Sequence, residues 1–303
     1  MEHHVPVLLH EVITFLDPHP GDFIIDGTVD GGGHAREILG RITEQGTLLG
    51  LDWDEALLAA CRDRLKGFGN AILVHANYAD LPAVIAANAS RLPAAQADGL
   101  LVDLGFSSEQ LEASGRGFSF GPKGNEASKD EPLLMTYSDD RTPVATLLRE
   151  LSETELADII YEFGGERYSR RIAKAIKERG RKAPIATSGE LADTVRAAVP
   201  RSYEHGRIDP ATRTFQALRI YANGELDNLK TLLERLPDIV KPGGRVAIIT
   251  FHSLEDRIVK NAFRELAKRE GADLLTKKPV PATREEIAAN PRSRSAKLRV
   301  IRL

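Results

Sequence analysis

Four short apolar segments in the first third of the chain constrain its fold most. They cover residues 22–26, 47–52, 71–75 and 99–103, and turn-forming or charged residues bound each of them. Segments of helical character separate them, at residues 35–41, 55–65 and 81–88. Apolar strands that alternate with helices are typical of a parallel sheet covered on both faces. The pattern predicts an α/β fold with a doubly wound, Rossmann-like sheet.

The alternation stops after Gly105, and residues 107–145 are rich in Gly, Ser, Lys and Asp. Helices follow, marked by capping boxes in which Ser152 and Thr187 are each followed three residues later by Glu. The sheet then resumes. The predicted later elements are a helix from Pro210 to Leu236, a strand at 245–251, a helix at 254–269 and a closing edge strand at 297–303.

These elements predict two domains. The first is an α/β domain made of residues 1–106 and 215–303. The second is a helical domain, residues 107–214, inserted into the first.

Composition excludes several classes of protein. No window approaches the 18 or more apolar residues that a membrane span requires, and the first residues lack the order of a signal peptide, so a cytoplasmic protein without membrane contact is expected. The single cysteine, Cys61, excludes an internal disulfide and a cysteine-based zinc cluster. Residues 1–160 carry 11 Lys and Arg against 26 Asp and Glu, whereas residues 161–303 carry 30 against 18. This segregation indicates either a polyanionic partner or solvated basic helices.

A glycine-rich turn, residues 26–34, joins the first strand to a helix, which is where α/β sheets bind nucleotides. The second strand ends in Asp52, placed to accept hydrogen bonds from both ribose hydroxyls of an adenosine. The alternative is a flexible turn with Asp52 as a helix cap. The turn lacks the G-x-G-x-x-G spacing that places a pyrophosphate on a helix N-terminus. Acidic residues such as Asp26 suit the methionine ammonium of S-adenosylmethionine, so this cofactor is favoured over NAD.

The fourth strand ends at Asp103, at the carboxyl edge of the sheet where reacting atoms are expected. Its carboxylate is the predicted catalytic group, because it can orient the donor or accept a hydrogen bond from an amine being methylated. The alternative is a carboxylate that caps a loop turn.

Seven segments, spread in order over nearly the whole chain, carry a family resemblance: residues 4–9, 26–34, 103–111, 116–120, 211–220, 251–260 and 290–295. Together they resemble the bacterial ribosomal RNA small-subunit methyltransferase H (MraW) family, which methylates N4 of a cytidine in the decoding region of 16S rRNA. The resemblance implies a class I S-adenosylmethionine-dependent methyltransferase fold. It also implies that the inserted helical domain helps to recognise RNA.

Further site residues follow from this resemblance. It implies that the cofactor is contacted by Gly32, Gly33, His34, Asp52, Tyr78, Asp103 and Gln110. Two departures from the family pattern stand out. Val29-Asp30-Gly31 replaces Phe-Gly-Arg and adds a carboxylate beside the donor, and Leu134 and Thr136 replace an acid and a base after an apparent insertion at 121–129.

Several residues are candidates for RNA contact. Phe106, Phe118 and Phe120 can stack on an unstacked cytosine or belong to a local core. His252 can touch the substrate or form a structural hydrogen bond. Basic candidates for phosphate contact are Arg213, Arg292, Arg294, Lys297 and Arg299, with Arg167, Arg170, Arg171 and Lys174 in the insert.

The predicted activity is methyl transfer to N4 of a cytidine in 16S rRNA of the small ribosomal subunit, and it requires no metal. Three other functions are weighed against it. They are an NAD-dependent dehydrogenase, a non-catalytic RNA-binding or ribosome assembly factor that retains the fold, and a DNA amino-methyltransferase, although the proline motif of the last is missing after Asp103. The sequence leaves the oligomeric state open, including a homodimer.

Overall fold

A computed structural model describes residues 6–105, 114–120, 131–200, 202–203, 209–269 and 271–303. The chain divides into two compact units. Unit 1 comprises Met1–Ser107 and Leu226–Leu303, and unit 2 comprises Ser108–Glu225. No helix in these described ranges is both long and apolar enough to cross a membrane.

The described strands of unit 1 form one sheet. Their bounds are β1 (Phe23–Asp26), β2 (Thr47–Asp52), β3 (Ala71–His75), β4 (Ala97–Asp103), β5 (Val240–Thr250), β6 (Asp273–Leu274), β7 (Val280–Pro281) and β8 (Lys297–Arg302). The strand order is β3-β2-β1-β4-β5-β8-β6, and β7 pairs with β8. Strands β1 to β5 are parallel, whereas β8 is antiparallel to β5.

The described helices fall into both units. Their bounds are α1 (Leu9–Leu16), α2 (Gly33–Ile42), α3 (Glu55–Arg64), α4 (Leu81–Ala87), α5 (Val144–Glu150), α6 (Glu153–Gly164), α7 (Ser169–Lys182), α8 (Ser188–Ala198), α9 (Ala211–Asn223), α10 (Glu225–Glu234), α11 (Leu236–Ile239), α12 (Ser253–Arg269) and α13 (Arg284–Ala289). Helices α5 to α9 belong to unit 2.

Two apolar clusters cover the faces of the sheet in unit 1. One contains side chains of α4, α10, α11 and α12, and the other contains side chains of α1, α2 and α3. All four residues of β1 are buried, as the continuous apolar run predicts for a strand covered on both sides. The predicted doubly wound α/β fold is confirmed.

Unit 2 is a helical body in which α6 packs against α7 and α9. Both predicted capping boxes are present. Ser152 Oγ accepts a hydrogen bond from the backbone N–H of Glu155, and Thr187 Oγ1 accepts one from that of Glu190. Each pair satisfies backbone donors that the first turn of a helix leaves without partners.

Two predicted elements are wrong in detail. The helix expected from Pro210 to Leu236 is divided into α9 and α10, because Gly224 takes a left-handed conformation (φ 63°) that ends α9, and α11 begins only at Leu236. Strand β8 is not an edge strand, since it lies between β5 and β6. The boundary between the units also falls after Glu225 instead of after residue 214, because α9 packs within unit 2.

Candidate cofactor and active site

Three buried carboxylates lie at the carboxyl ends of adjacent strands. Asp26 ends β1, Asp52 ends β2 and Asp103 ends β4, and β1 lies between the other two strands. Their residues are only 0%, 5% and 5% exposed. Because the three strands are parallel, their last residues meet at one edge of the sheet, where open α/β sheets bind ligands.

The turn after β1 is hydrogen-bonded to both neighbouring strands. The N–H of Gly27 donates to the Leu101 carbonyl of β4, and the N–H of Val29 donates to the Leu51 carbonyl of β2, each at 2.8 Å. Thr28 Oγ1 accepts a hydrogen bond of 2.7 Å from the N–H of Asp103. The turn therefore fixes the start of the site relative to the ends of both flanking strands.

The glycines of the turn have packing reasons to be glycine. Gly32 has a φ of 78°, a conformation that costs glycine little. A Cβ on Gly33 would lie 3.0 Å from Cγ of Pro6, so the Pro6 ring packs closely against this residue. The alternative of a merely flexible turn is therefore wrong.

Asp52 accepts two backbone hydrogen bonds. Its Oδ2 accepts from the N–H of Asp30 and its Oδ1 from the N–H of Asp54, both at 2.9 Å. The helix cap of α3 is Asp54, whose Oδ1 accepts from the N–H groups of Ala56 and Leu57. The alternative interpretation of Asp52 as the cap is wrong. Each oxygen of Asp52 keeps a further lone pair for a ligand hydroxyl.

Asp103 and His34 lie together. Nδ1 of His34, in the first turn of α2, is 3.9 Å from Oδ2 of Asp103, and its Nε2 is 3.0 Å from the Val7 carbonyl oxygen. The Asp103 Oδ1 accepts a 3.0 Å hydrogen bond from the N–H of Gly105. Asp103 thus caps a turn with one oxygen, as the alternative interpretation proposed, while the other faces His34.

Tyr78 lies at the same edge of the sheet, in a 3-10 helix after β3 (Tyr78–Asp80). It is buried, and its ring centroid is 6.3 Å from that of Trp53, which follows Asp52. A Cβ on Gly27 would lie 3.2 Å from the Tyr78 Cβ, so glycine permits this close approach.

The structure thus brings Gly32, Gly33, His34, Asp52, Tyr78 and Asp103 to one edge of the sheet. Gln110 and Phe106 lie outside the described residues.

The electrostatics of this edge favour a cation. Burial is the main cause that raises the pKa of Asp26 from 3.8 to about 7; a backbone hydrogen bond from Thr28 lowers it, and the neighbouring charges of Asp103 and Asp52 add to the increase. Burial likewise raises the pKa of Asp103 to about 7. The pKa of Asp30 is also raised, first by burial and then by the charge of Asp52. A positive ligand charge would relieve this repulsion.

S-adenosylmethionine fits these residues. The buried Oδ2 of Asp26 has no hydrogen-bond partner among the described residues, and such an oxygen requires a donor or a cation to offset its burial. The cofactor carries an ammonium and a sulfonium, and its ribose hydroxyls match the acceptor capacity of Asp52. The residues present therefore suit the predicted cofactor in charge and in hydrogen bonding.

His252 precedes α12 in unit 1. Its Nδ1 accepts a 3.4 Å hydrogen bond from the N–H of Glu255, and its Nε2 lies 3.0 Å from Oε1 of Glu255 without hydrogen-bond geometry. Glu255 Oε2 accepts hydrogen bonds from the N–H groups of Phe251 and His252. His252 therefore forms the structural hydrogen bond that was one of its two expected roles. Its contact with a substrate stays a prediction.

Three other candidates for RNA contact lie in unit 2. Phe118 is buried and stacks on Tyr137 with centroids 5.4 Å apart, and Phe120 packs against Phe215 at 4.4 Å. Arg213 Nη1 donates to the Tyr203 hydroxyl at 2.8 Å. Phe118 therefore belongs to a local core, as the alternative interpretation stated, whereas Phe120 is half-buried and its contact with RNA stays a prediction.

The basic residues near the end of unit 1 differ in exposure. Arg292 is half-buried and Arg294 exposed in a 3-10 helix (Pro291–Ser295). Arg299 is buried and its Nε donates to Oδ1 of Asp256 at 2.7 Å. The prediction that Arg299 contacts phosphate is wrong, because β8 is an inner strand and directs this side chain to an internal ion pair. Lys297 lies 3.7 Å from the same carboxylate.

Two residues at this edge were not identified as site residues from the sequence. Thr28 ties the turn to β4 through its hydroxyl. Glu255 is buried and holds the backbone after β5. A threonine after Asp-Gly gave a signal for the first. A Glu three residues after His252, in the arrangement of a capping box, gave one for the second.

Comparison with known proteins agrees with this geometry. A model of the MraW methylase family matches residues 1–303. Proteins named ribosomal RNA small subunit methyltransferase H are similar over almost their whole length. That of Syntrophotalea carbinolica is 45% identical, covering 99% of this chain and 97% of its own, and that of Syntrophus aciditrophicus is 45% identical, covering 98% and 96%. That of Synechococcus elongatus is 43% identical, covering 98% and 94%. The chain belongs to the MraW methylase family.

Proposed function

We propose that this protein transfers the methyl group of S-adenosylmethionine to N4 of a cytidine in the decoding region of 16S rRNA. The observation that carries the proposal is the 45% identity, over 99% of this chain, to a relative named for methylation of small-subunit ribosomal RNA. The proposed substrate is 16S rRNA in the small ribosomal subunit, and the proposed location is the cytoplasm. The acidic edge of the sheet supports the choice of cofactor.

Each residue at this edge has a proposed role in binding the cofactor. Asp52 accepts hydrogen bonds from the ribose hydroxyls, and Tyr78 packs on the adenine. Gly32 and Gly33 let the backbone approach the methionine end of the cofactor. His34, which lies beside Asp103, is a further contact on the same side of the site. Gln110 is a further proposed contact. The free oxygen of Asp26 supports a role opposite the positive charges of the methionine end.

Asp103 is the proposed catalytic residue. When bound, the cofactor supplies an electrophilic methyl group on a sulfonium. The exocyclic amine of cytosine is a poor nucleophile because its lone pair is delocalised into the ring. A hydrogen bond from this amine to Oδ2 of Asp103 would hold it in line and favour rotation of the lone pair out of conjugation. As the carbon–nitrogen bond forms, the carbon–sulfur bond would break to leave a neutral thioether, and the proton that the nitrogen must lose would pass to water. Holding two reacting groups in position contributes about 7 to 11 kcal/mol to a rate enhancement.

The protonation state of Asp103 sets a condition on this role. Burial raises its pKa to about 7, so near neutral pH the carboxyl is partly protonated in the absence of a cation. Protonation at Oδ2 would turn this oxygen into a donor, so the ionised form is the one that accepts from the amine. The positive cofactor lowers this pKa, so cofactor binding prepares Asp103 to act as acceptor.

The first test is mass mapping of 16S rRNA from cells with and without this protein. We expect one cytidine in the decoding region to lose a methyl group on N4 when the protein is absent. The proposal is refuted if no cytidine changes.

A second test separates catalysis from binding. Asp103→Asn keeps the size of the side chain and removes its charge, and we expect methyl transfer to small subunits to fall about 100-fold or more. Cofactor affinity, measured by calorimetry, should fall much less. Asp63→Asn, at an exposed carboxylate on α3, is the matched control and should transfer methyl groups normally. Normal transfer by Asp103→Asn would remove Asp103 from the mechanism. A parent protein that binds the cofactor but modifies no subunit would favour a non-catalytic RNA-binding factor.

A further inference from the structure

Helix α7 of unit 2 has one strongly basic, exposed face. The basic side chains of this face are exposed, and they are Arg167, just before the helix, with Arg170, Arg171, Lys174, Arg181 and Lys182. One exposed carboxylate, that of Glu178, lies among them. The opposite face, with Ile172, Ala173 and Ile176, is buried in unit 2. At 100° per residue, the basic positions span about 120° directly opposite the apolar ones.

The basic side chains outside this face already have partners within unit 2. Lys177 Nζ donates to the Leu148 carbonyl at 2.8 Å, and Arg179 Nη2 donates to Oε1 of Glu190 at 3.2 Å. On the basic face, only Lys174 has a carboxylate within 4.0 Å among the described residues, that of Glu178 at 3.8 Å. The positive charges of the other side chains are therefore not neutralised by the described part of the chain.

Arg167 is held in place despite its exposure. Its guanidinium lies 5.0 Å from the ring centroid of Tyr168 and 4.9 Å from that of Tyr203. Tyr203 is itself fixed, because its hydroxyl donates to the buried Oε2 of Glu166 at 2.8 Å. Two cation-π contacts restrict a side chain that would otherwise be mobile, so less entropy is lost when it binds an anion.

Arg170 and Arg171 lie at a position where positive charge does not stabilise helix α7. The first turn of a helix carries a partial positive charge, and Arg170 and Arg171 lie in it with no acidic residue in the same turn. The buried carboxylate of Glu166 accepts from the N–H of Tyr168 and offsets part of this charge. Stability of the helix alone therefore does not account for the two arginines, whereas an external anion would be attracted by both.

We propose that the basic face of α7 binds the phosphates of the RNA substrate, with Arg167 as its preordered contact. This inference rests on the proposed function for the identity of the RNA. From Arg170 to Arg181 the face extends about 16 Å, long enough for several consecutive phosphates. A membrane surface fits less well, because the apolar side of α7 is buried in unit 2 and cannot enter a bilayer.

The test compares two triple variants of the full chain. Arg170→Gln, Arg171→Gln and Arg181→Gln remove three charges from the basic face. Arg62→Gln, Lys66→Gln and Arg91→Gln remove three exposed charges from unit 1 and form the matched control. Binding to an unmodified 16S rRNA transcript is measured from 50 to 200 mM salt, and cofactor affinity and thermal unfolding are measured in parallel.

We expect the first triple variant to lower the slope of log affinity against log salt by about 2, at about 0.7 per lost contact. The ratio of the parent's RNA affinity to that of this variant should then decrease roughly fifteenfold when the salt concentration is raised from 50 to 200 mM. Its KM for small subunits should rise while kcat and cofactor affinity stay near those of the parent. The control triple should bind RNA as the parent does.

Arg167→Lys tests the preordered contact, because it keeps the charge and loses the planar group that stacks on the tyrosines. We expect a several-fold loss of RNA affinity with an unchanged salt slope. Equal losses in both triple variants, or none in either, would overturn the basic face as an RNA site. Parent-like binding by Arg167→Lys would overturn the role of Arg167. If the parent binds RNA through this face but transfers no methyl group, the proposed function fails and the basic face stands.

Discussion

The unpartnered oxygen of Asp26 leads to a measurable pH dependence. Burial raises the pKa of Asp26 from 3.8 to about 7, which corresponds to about 4 kcal/mol against the ionised form in the folded protein. Because the folded pKa lies above the unfolded one, the unfolded chain loses this proton first as pH rises. The contribution of Asp26 to the free energy of unfolding therefore decreases from about pH 4 to pH 7, by roughly 2 kcal/mol between pH 5 and pH 7.

Asp26→Asn removes this titration and keeps the shape of the side chain. We expect the difference in unfolding free energy between variant and parent to shift in favour of the variant by about 2 to 3 kcal/mol from pH 5 to pH 7. Asp52 and Asp103 titrate in both proteins, so the difference reports the titration of Asp26 together with its charge coupling to these two carboxylates. Urea unfolding followed by fluorescence suits this test, because Trp53 is the single tryptophan and lies in unit 1, and so reports that unit.

Cofactor binding should lower the pKa of Asp26, whereas burial raises it. A cation beside Asp26 lowers its pKa, so binding near pH 7 should release protons, which calorimetry in buffers of different ionisation enthalpy detects. Asp26→Asn should release fewer protons and bind more weakly at pH 8. Parallel stability profiles for parent and variant, with equal proton release, would refute the assignment of a raised pKa and of a cation site to Asp26.

Three further substitutions have expected outcomes. Gly33→Ala places a Cβ 3.0 Å from the Pro6 ring and should lower the free energy of unfolding by about 1 to 3 kcal/mol in urea titrations. It should also weaken cofactor binding. No change in either quantity would mean that Pro6 moves freely. Asp30→Gly relieves a left-handed conformation (φ 46°) and should raise the unfolding free energy by about 1 kcal/mol, whereas Asp30→Asn should gain less. Arg299→Ala removes the 2.7 Å partner of Asp256, which is half-buried and keeps Lys297 at 3.7 Å, so it should cost about 1 to 3 kcal/mol. An unchanged free energy of unfolding would contradict a stabilising ion pair.

The parallel strands and the site edge were predictable because their signals are local. A run such as Phe23-Ile24-Ile25 is apolar throughout, as expected of a strand covered on both faces, and both capping boxes were identified from pairs three residues apart. The acids that end these strands could be placed at one edge because parallel strands share a direction. Sequence reasoning therefore located Asp52 and Asp103 before any contact was known.

Contacts between distant segments were not predictable in the same way. Nothing near Gly33 indicates that Pro6 packs on it, and nothing near Arg299 indicates its pairing with Asp256. The position of β8 depends on two short strands, β6 and β7, that are too brief to give a periodic signal. The break at Gly224 is marked in the sequence only by the pair Asn223-Gly224, which lies between two stretches of helical periodicity.

The inner position of β8 has a consequence for the order of events during synthesis. Strand β8 is the last strand of unit 1 to be made, and it pairs with β5 on one side and with β6 and β7 on the other. The sheet cannot be completed before the ribosome has added β8, so unit 1 finishes folding late. It does so through contacts between segments distant in sequence, and such contacts form slowly. Unit 2 is one continuous stretch whose helices form from local contacts. It can reach its native packing while the second half of its host sheet is still being translated.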